Sequence, residues 1–294
     1  MEGKRQPDME IVIEDLDYVY NPGTPLEVQA LRNISFDIPS GTILGILGAA
    51  ASGKTTLLKI LNGLLTPTAG RVLMAGRDIR TFKAGLRRKV GLVFQQPERQ
   101  VFEKTVFRDI SFVLKLFSDL PDAIIQERVR QASDLVGLDI ETLAERSPWT
   151  LSKGEMRLTA IAGVLANQPE VLILDEPTVG LGPESVTKLV TLIRRMKTHK
   201  RQTVILVSHN MDPFLSDVDK ILVLHQGCLA AHGTPAEVCN IIGNDPNMRL
   251  LLPEIALLIH DLQKQGIPVP ADNYSIPVLA RTLVALMNRE NRNT

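Results

Sequence analysis

One segment fixes most of what this chain can be. Gly48-Ala49-Ala50-Ala51-Ser52-Gly53-Lys54-Thr55-Thr56 follows a nearly all-apolar run at 42–47 and opens a helical pattern at 57–65. A run of that kind suits a central parallel strand, whose two faces are both covered. Two glycines let successive backbone N–H groups turn inward around phosphate oxygens, and the following helix adds the positive end of its dipole. Lys54 is then placed to reach the outer phosphates, and the Thr55 hydroxyl to ligate Mg²⁺. Many loops of this pattern carry glycine where this one carries Ala51; alanine is expected to fit there with φ kept negative.

The second half of such a site stands at 171–176. Val171-Leu172-Ile173-Leu174 reads as a buried strand, and Asp175-Glu176 emerge at its carboxyl end. Ligands of open α/β sheets sit at that end. Asp175 is expected to hold Mg²⁺ through water, and Glu176 to orient or deprotonate the attacking water.

Around these two motifs the chain alternates. Strand-like runs occur at 34–38, 72–75, 90–94, 204–207 and 221–224, and His225-Gln226-Gly227 reads as a hairpin turn leading to 229–231. At the N-terminal side, Ile11, Ile13 and Leu16 alternate with acidic residues as in a half-exposed strand, and Asn21-Pro22-Gly23-Thr24-Pro25 is turn-rich. From 105 to about 166 the period becomes helical. After Gly233-Thr234-Pro235 the alternation stops, and Ile276, Leu279, Leu283 and Leu286 keep the rhythm of an amphipathic helix.

Composition excludes several classes. The 294 residues hold 33 basic and 33 acidic side chains, so the overall basic field of a nucleic-acid binder is missing and association with other subunits is favoured. The segment from Met1 to Glu10 is polar and charged, unlike a secretory signal. The longest apolar runs are of strand length, well short of the roughly 20 residues of a spanning helix. A cytoplasmic chain that reaches a membrane only through a partner is expected. Cys228 and Cys239 have neither metal nor redox spacing, and His225, His232 and His260 have no ligand spacing, so all five read as structural. Arg87-Arg88-Lys89 reads as a solvated loop, and Trp149 as packing at the base of the helical block. Arg157 fits either a phosphate or carboxylate partner or a solvated helix face; Phe102, Phe107 and Phe112 fit either a partner groove or an internal helix core.

Leu151-Ser152-Lys153-Gly154-Glu155, just ahead of the Asp175-Glu176 strand, resembles the LSGGQ signature of ATP-binding-cassette proteins. Gln95 after a strand resembles that family's Q-loop glutamine, His209 after Ser208 its switch histidine, and Tyr20 the aromatic residue that stacks on adenine. The resemblance runs in order from 10 to 235. It implies an α/β fold: a P-loop NTPase (RecA-like) core with an antiparallel β edge, a helical subdomain inserted at about 96–166, and a C-terminal helical extension. The cassette domain would span 10–233, and the extension, 234–294, would serve dimer contact.

The resemblance also implies ATP hydrolysis with Mg²⁺. Glu176, His209 and Gln95 would be catalytic, and Thr55, Gln95 and Asp175 would hold the metal. Tyr20 and residues 48–56 would bind the nucleotide. Two such subunits would pack head to tail, so that Ser152, Gly154 and Glu155 serve the site opposite. The run Val93-Phe94-Gln95-Gln96-Pro97-Glu98-Arg99-Gln100 and the run Ala160-Ile161-Ala162-Gly163-Val164-Leu165-Ala166 resemble energy-coupling-factor transporter ATPases. Those importers of vitamins or of cobalt and nickel ions join two ATPases, alike or different, to an integral membrane coupling protein and a small substrate-binding membrane protein. The chain would lie peripherally at the cytoplasmic face of the membrane and bind no nucleic acid. The alternatives are another cassette importer and a soluble cassette ATPase acting on DNA or ribosomes. Only about a hundred residues separate P-loop from signature, without sustained heptads, and there is one cassette, which disfavours the soluble types.

Three positions depart from the family pattern. Lys153 replaces a signature glycine, Glu155 replaces the signature glutamine, and Gly182 stands where an aspartate normally follows Gly180-Leu181. All three belong to parts the chain would lend to the opposite site, which fits either one weakened composite site in an unequal pair or neutral drift.

Overall fold

A computed structural model describes residues 9–96, 100–199, 202–209 and 211–290. The polar start at 1–8 and Pro97, Glu98 and Arg99 of the Q-loop run lie outside the described residues.

The chain opens with β1 (Ile11–Tyr20), β2 (Val28–Ile38) and β3 (Ile43–Leu47), then α1 (Lys54–Leu61), β4 (Ala69–Met74), β5 (Arg77–Asp78), α2 (Leu86–Lys89) and β6 (Val90–Val93). Four helices follow before the next strand: α3 (Val106–Phe117), α4 (Asp122–Val136), α5 (Ile140–Leu143) and α6 (Lys153–Ala166). The remainder is β7 (Val171–Asp175), α7 (Pro183–His199), β8 (Thr203–Val207), β9 (Lys220–His225), β10 (Cys228–Gly233), α8 (Pro235–Gly243), α9 (Glu254–Lys264) and α10 (Ile276–Glu290).

Two sheets result. The six-stranded sheet has the order β10-β9-β3-β8-β7-β6; β9, β3, β8, β7 and β6 run parallel and β10 pairs antiparallel with β9. Gln226 and Gly227 join β9 to β10 with φ of 49° and 78°, the two left-handed residues of a tight hairpin turn. The four-stranded antiparallel sheet has the order β2-β1-β4-β5.

β3, β7 and β8 are buried along their whole length, yet alternation still decides what each residue meets. Leu44, Ile46, Val171, Ile173, Ile205 and Val207 face a layer made by α1 and the antiparallel sheet. Ile43, Leu47, Leu172, Leu174, Val204 and Leu206 face the opposite layer, which holds α3, α4, α6, α7 and the C-terminal helices. The carboxyl ends of β3, β7 and β8 therefore sit side by side between two packed layers, with the phosphate loop, Asp175 and His209 at their exits.

Some expectations need correction. Arg87, Arg88 and Lys89 belong to a short helix, α2, rather than a loop; Arg87 and Arg88 stay exposed, and Lys89 pairs with Glu170 just ahead of β7. Trp149 is 58% exposed rather than packed beneath the helical block. β2 begins at Val28, six residues before the apolar run at 34–38, because its exposed first part pairs with β1 near Tyr20. The aromatic run divides: Phe107 packs against the core, whereas Phe102 and Phe112 form an edge-on pair at 4.6 Å with Phe102 exposed.

The C-terminal helices are fastened to the site side of the core. Asp212, three residues past His209, accepts the Ile255 N–H at 2.9 Å and the Glu254 N–H at 3.3 Å. Its carboxylate thus satisfies the first-turn donors of α9 and opposes the positive end of that helix.

Candidate functional site

The phosphate loop is held in a shape that only glycine permits at its two ends. Gly48 and Gly53 have φ of 151° and 102°. A Cβ on Gly48 would lie 2.4 Å from the Leu224 carbonyl oxygen, and one on Gly53 2.6 Å from that of Ala30. Ala51 differs from expectation: its φ is +59°, not negative. A left-handed alanine costs about 1–2 kcal/mol, so the loop holds local strain at its centre. Ala51→Gly should raise nucleotide-free stability by about 1 kcal/mol after the extra chain entropy of glycine is subtracted. A thermal melt checks this; an unchanged or lower Tm counts against strain at Ala51.

Lys54 is buried, and its ammonium donates to the carbonyls of Gly48 at 2.7 Å and Ala49 at 2.8 Å. Burial pulls its pKa below the ordinary ammonium value, while the nearby Glu176 and Asp175 carboxylates pull it back up. Beside the loop lies a cleft of about 390 Å³ lined by Tyr20, Val28, Gln29, Ala30, Gln226 and Gly227 together with loop residues including Ala51, Ser52, Gly53, Thr55 and Thr56. The Tyr20 hydroxyl is 3.2 Å from that of Thr56. Sequence reasoning found Tyr20 but not the other five: Gln226-Gly227 read only as a turn, and residues 28–30 carry no motif.

At the end of β7, Asp175 and Glu176 are both buried. Glu176 sits in the left-handed region at φ 49°, and its N–H is held by the Val207 carbonyl at 2.8 Å. That bond across to β8 turns the side chain toward His209, whose N–H donates to Glu176 Oε2 at 3.1 Å. His209 Nε2 stands 3.2 Å from Oε1, within ion-pair reach but off the line of a hydrogen bond, so buried Oε1 keeps no hydrogen-bond partner among the described residues. Burial, and then the Glu176 charge, raise the Asp175 pKa; Lys54 and His209 oppose this.

A raised carboxyl makes the fold hold a proton more tightly than the unfolded chain does. Stability is therefore lost as pH rises from the ordinary aspartate value through the raised one, and no more is lost above it. Asp175→Asn should raise the Tm of the nucleotide-free protein at neutral pH while abolishing turnover. Melts of both forms from about pH 4 to 8 check the sign; a lower Tm for the variant at pH 7 contradicts it.

Arg157 is not on a solvated helix face. It is buried in α6, and its guanidinium donates to the carbonyls of Gln95 at 2.5 Å, Glu176 at 3.2 Å and Val179 at 3.4 Å. One side chain on the signature helix thus holds the backbone at Gln95, at Glu176 and in the loop after it. Nothing in the local sequence separates this arginine from an exposed one.

Ser152 caps α6: it accepts the Glu155 N–H at 3.2 Å, and Glu155 Oε2 accepts the Ser152 N–H at 2.9 Å. That capping box, with Arg146 and Lys188 nearby, holds the Glu155 carboxyl below its usual range. A Cβ on Gly154 would meet the Ser185 hydroxyl at 2.4 Å and its Cβ at 3.3 Å, so a side chain there would have to displace Ser185 of α7. The structure brings Lys54, Asp175, Glu176 and His209 together. Gln95 and Lys153 instead line a separate cleft with Trp149 and Val179.

The donor set suits nucleotide with a hard cation. Thr55 and Asp175 offer oxygen, the ligand Mg²⁺ prefers alongside phosphate, and the Gln95 carboxamide oxygen would join them only by leaving its own cleft. A glycine-framed loop carries a buried ammonium within electrostatic reach of two buried carboxylates, Glu176 and Asp175.

The ABC transporter family model matches residues 31–179. The energy-coupling factor transporter ATP-binding protein EcfA2 of Caldanaerobacter subterraneus subsp. tengcongensis is 42% identical over 271 residues, 91% of this chain and 94% of that protein. Its counterpart in Clostridium perfringens is 37% identical over 286 residues, 96% of this chain and 100% of that one. Among solved structures, cbiO1 of Clostridium perfringens, part of the ABC transporter complex cbiONQ, is 35% identical at a TM-score of 0.71, covering 86% of this chain and 99% of its own. The dimeric bacterial ABC transporter cassette MJ0796 is 26% identical at a TM-score of 0.69, covering 76% and 98%. The chain belongs to the ABC transporter ATPase family, among the energy-coupling factor ATP-binding proteins.

Proposed function

We propose that this chain binds ATP with Mg²⁺ and hydrolyses it to ADP and phosphate, as one of two ATPases that energise import through an energy-coupling-factor-type membrane transporter of vitamins or transition-metal ions. The observation that carries this is the cluster of Lys54, Asp175, Glu176 and His209 at the carboxyl ends of β3, β7 and β8. The phosphates would lie on the N–H groups of 48–56, against Lys54, and the base beside Tyr20. The metal, held by Thr55, Gln95 and Asp175, would neutralise charge on the outer phosphates. Glu176 would orient the attacking water and draw its proton, and His209 would fix the Glu176 carboxylate from the next strand.

Ser152, Gly154 and Glu155 would serve the nucleotide of a second cassette subunit packed head to tail. The C-terminal extension supports a partner contact: Leu250, Ile276 and Met287 are 84%, 66% and 63% exposed, more apolar surface than a lone subunit gains from showing. Among the described residues no helix is long and apolar enough to cross a membrane, and the chain would dock beneath its membrane partners on the cytoplasmic face. Purification of the tagged chain from mildly solubilised host membranes tests this. An integral coupling protein, a small membrane binding protein and a second cassette ATPase are expected. Ribosomes, DNA or no membrane protein would overturn the transport assignment.

The departures at Lys153 and Gly182 are open to repair. Lys153 is exposed at the first turn of α6, and a Cβ on Gly182 would meet nothing within 4 Å. Lys153→Gly with Gly182→Asp should raise coupled turnover about two- to fivefold, the rate equivalent of roughly 1 kcal/mol or less. An unchanged rate removes the idea of a weakened composite site.

A further inference from the structure

Gln100 acts as a piece of backbone. Its side-chain oxygen accepts the Phe94 N–H at 2.8 Å, and its side-chain nitrogen donates to the Leu92 carbonyl at 3.1 Å. Among the described residues β6 is the last strand of its sheet, paired with β7 on one side only. Leu92 and Phe94 are two residues apart, so their peptide groups point to one edge. A single carboxamide thus bonds to β6 as a further strand would, and satisfies an edge donor and an edge acceptor at once.

The residue this fixes is the next one along. Gln95 follows Phe94, and its own carbonyl is held by Arg157 at 2.5 Å. Its backbone is therefore gripped on both sides while its side chain stands exposed. The chain after Gln100 is pinned as well. Val101 is buried, and Asp109 in the first turn of α3 accepts the Phe102 N–H at 3.0 Å and the Glu103 N–H at 3.1 Å. So the segment at 100–103 is bonded to β6 at one end and to α3 at the other, and its Phe102 ring packs edge-on against Phe112 of α3.

We propose that Gln100 is a positioning residue for Gln95. By closing the edge of β6 it fixes the backbone from which the Gln95 carboxamide would leave its own cleft to reach the metal of bound nucleotide. A ligand carried on a loop loses affinity when its backbone wanders, so a clamp on that backbone tunes the metal and not the phosphates. The inference rests on the assignment of Gln95 as a metal ligand made above.

The test compares nucleotide affinity with and without metal in full-length Glu176→Gln protein, which keeps ATP intact. ATP binding is measured in Mn²⁺ and again in EDTA, with and without Gln100→Leu. The substitution should cut the strengthening by Mn²⁺ about tenfold, leave metal-free ATP affinity within about twofold, and speed amide exchange at 92–96. If the strengthening is unchanged, or affinity falls equally in Mn²⁺ and EDTA, Gln100 only fills a sheet edge and the proposal is overturned. Should Gln100→Leu not fold, Gln100→Asn, too short to reach both groups, is read in the same way. Glu176→Gln protein whose ATP binding ignores Mn²⁺ would instead sink the metal-site assignment, whatever the Gln100 variants do.

Discussion

Glu176→Gln should lower ATP turnover by about a thousandfold, the worth of a positioned general base, while ATP binding persists. The geometry gives the reason. Glu176 is buried at the end of β7, with one oxygen held by the His209 N–H and the other without a hydrogen-bond partner among the described residues. Glutamine keeps the size and the acceptor for His209, but no carboxylate remains to draw a proton from water. Binding depends on the phosphate loop and Lys54, which the change does not touch. The variant should therefore accumulate as an ATP-bound pair with its partner cassette, seen as an ATP-dependent shift in size-exclusion chromatography. Turnover within tenfold of the native rate would assign the proton to another group. No binding of ATP by the native chain in any complex would make it a silent scaffold.

Lys54→Ala should fail at the earlier step. A buried ammonium meeting phosphate oxygens makes charge-assisted hydrogen bonds, and losing them costs about 3 kcal/mol, or roughly a hundredfold in ATP affinity. In this structure the ammonium bonds instead to the Gly48 and Ala49 carbonyls, so it must exchange those for phosphate, and its net contribution is less than the gross strength of its bonds. Lys54 also restrains the raised pKa of Asp175. Its removal should push that carboxyl higher still and leave the metal side of the site weaker too. The contrast with Glu176→Gln is sharp: one variant binds without turning over, the other hardly binds. Equal ATP affinity for native and Lys54→Ala protein, measured by titration at fixed ionic strength, would remove Lys54 from the phosphate site.

The parts of this site that were legible in the sequence are those with a local physical cause. An apolar run such as 171–174 has to be a covered strand, and carboxylates at its end have to face the ligand edge. Gly48 and Gly53 announce a backbone that side chains cannot follow. The hairpin at Gln226-Gly227 was legible for the same reason, although its part in the nucleotide cleft was not, because that part depends on β2 lying alongside. Ala51 misled because a non-glycine residue argues for negative φ, and the loop overrides that preference. Arg157 stayed open and Trp149 misled: the arginine is inside, where three backbone carbonyls receive it, the tryptophan outside, and neither fact has a signature of its own. Helix α7 has a clear apolar stripe at Leu189, Leu192, Ile193 and Met196, yet it carries no chemistry and drew no notice beside the motifs.

Reconstitution tests the central claim most directly. Proteoliposomes holding the purified membrane complex would be assembled with native, Glu176→Gln or Lys54→Ala subunit, and uptake of its substrate followed with Mg²⁺ and ATP on the side that bears this chain. Uptake is expected only with ATP and the native subunit, each molecule imported matched by released phosphate. Uptake that proceeds without ATP, or as fast with either variant as with the native chain, would contradict the assignment of this subunit as the motor.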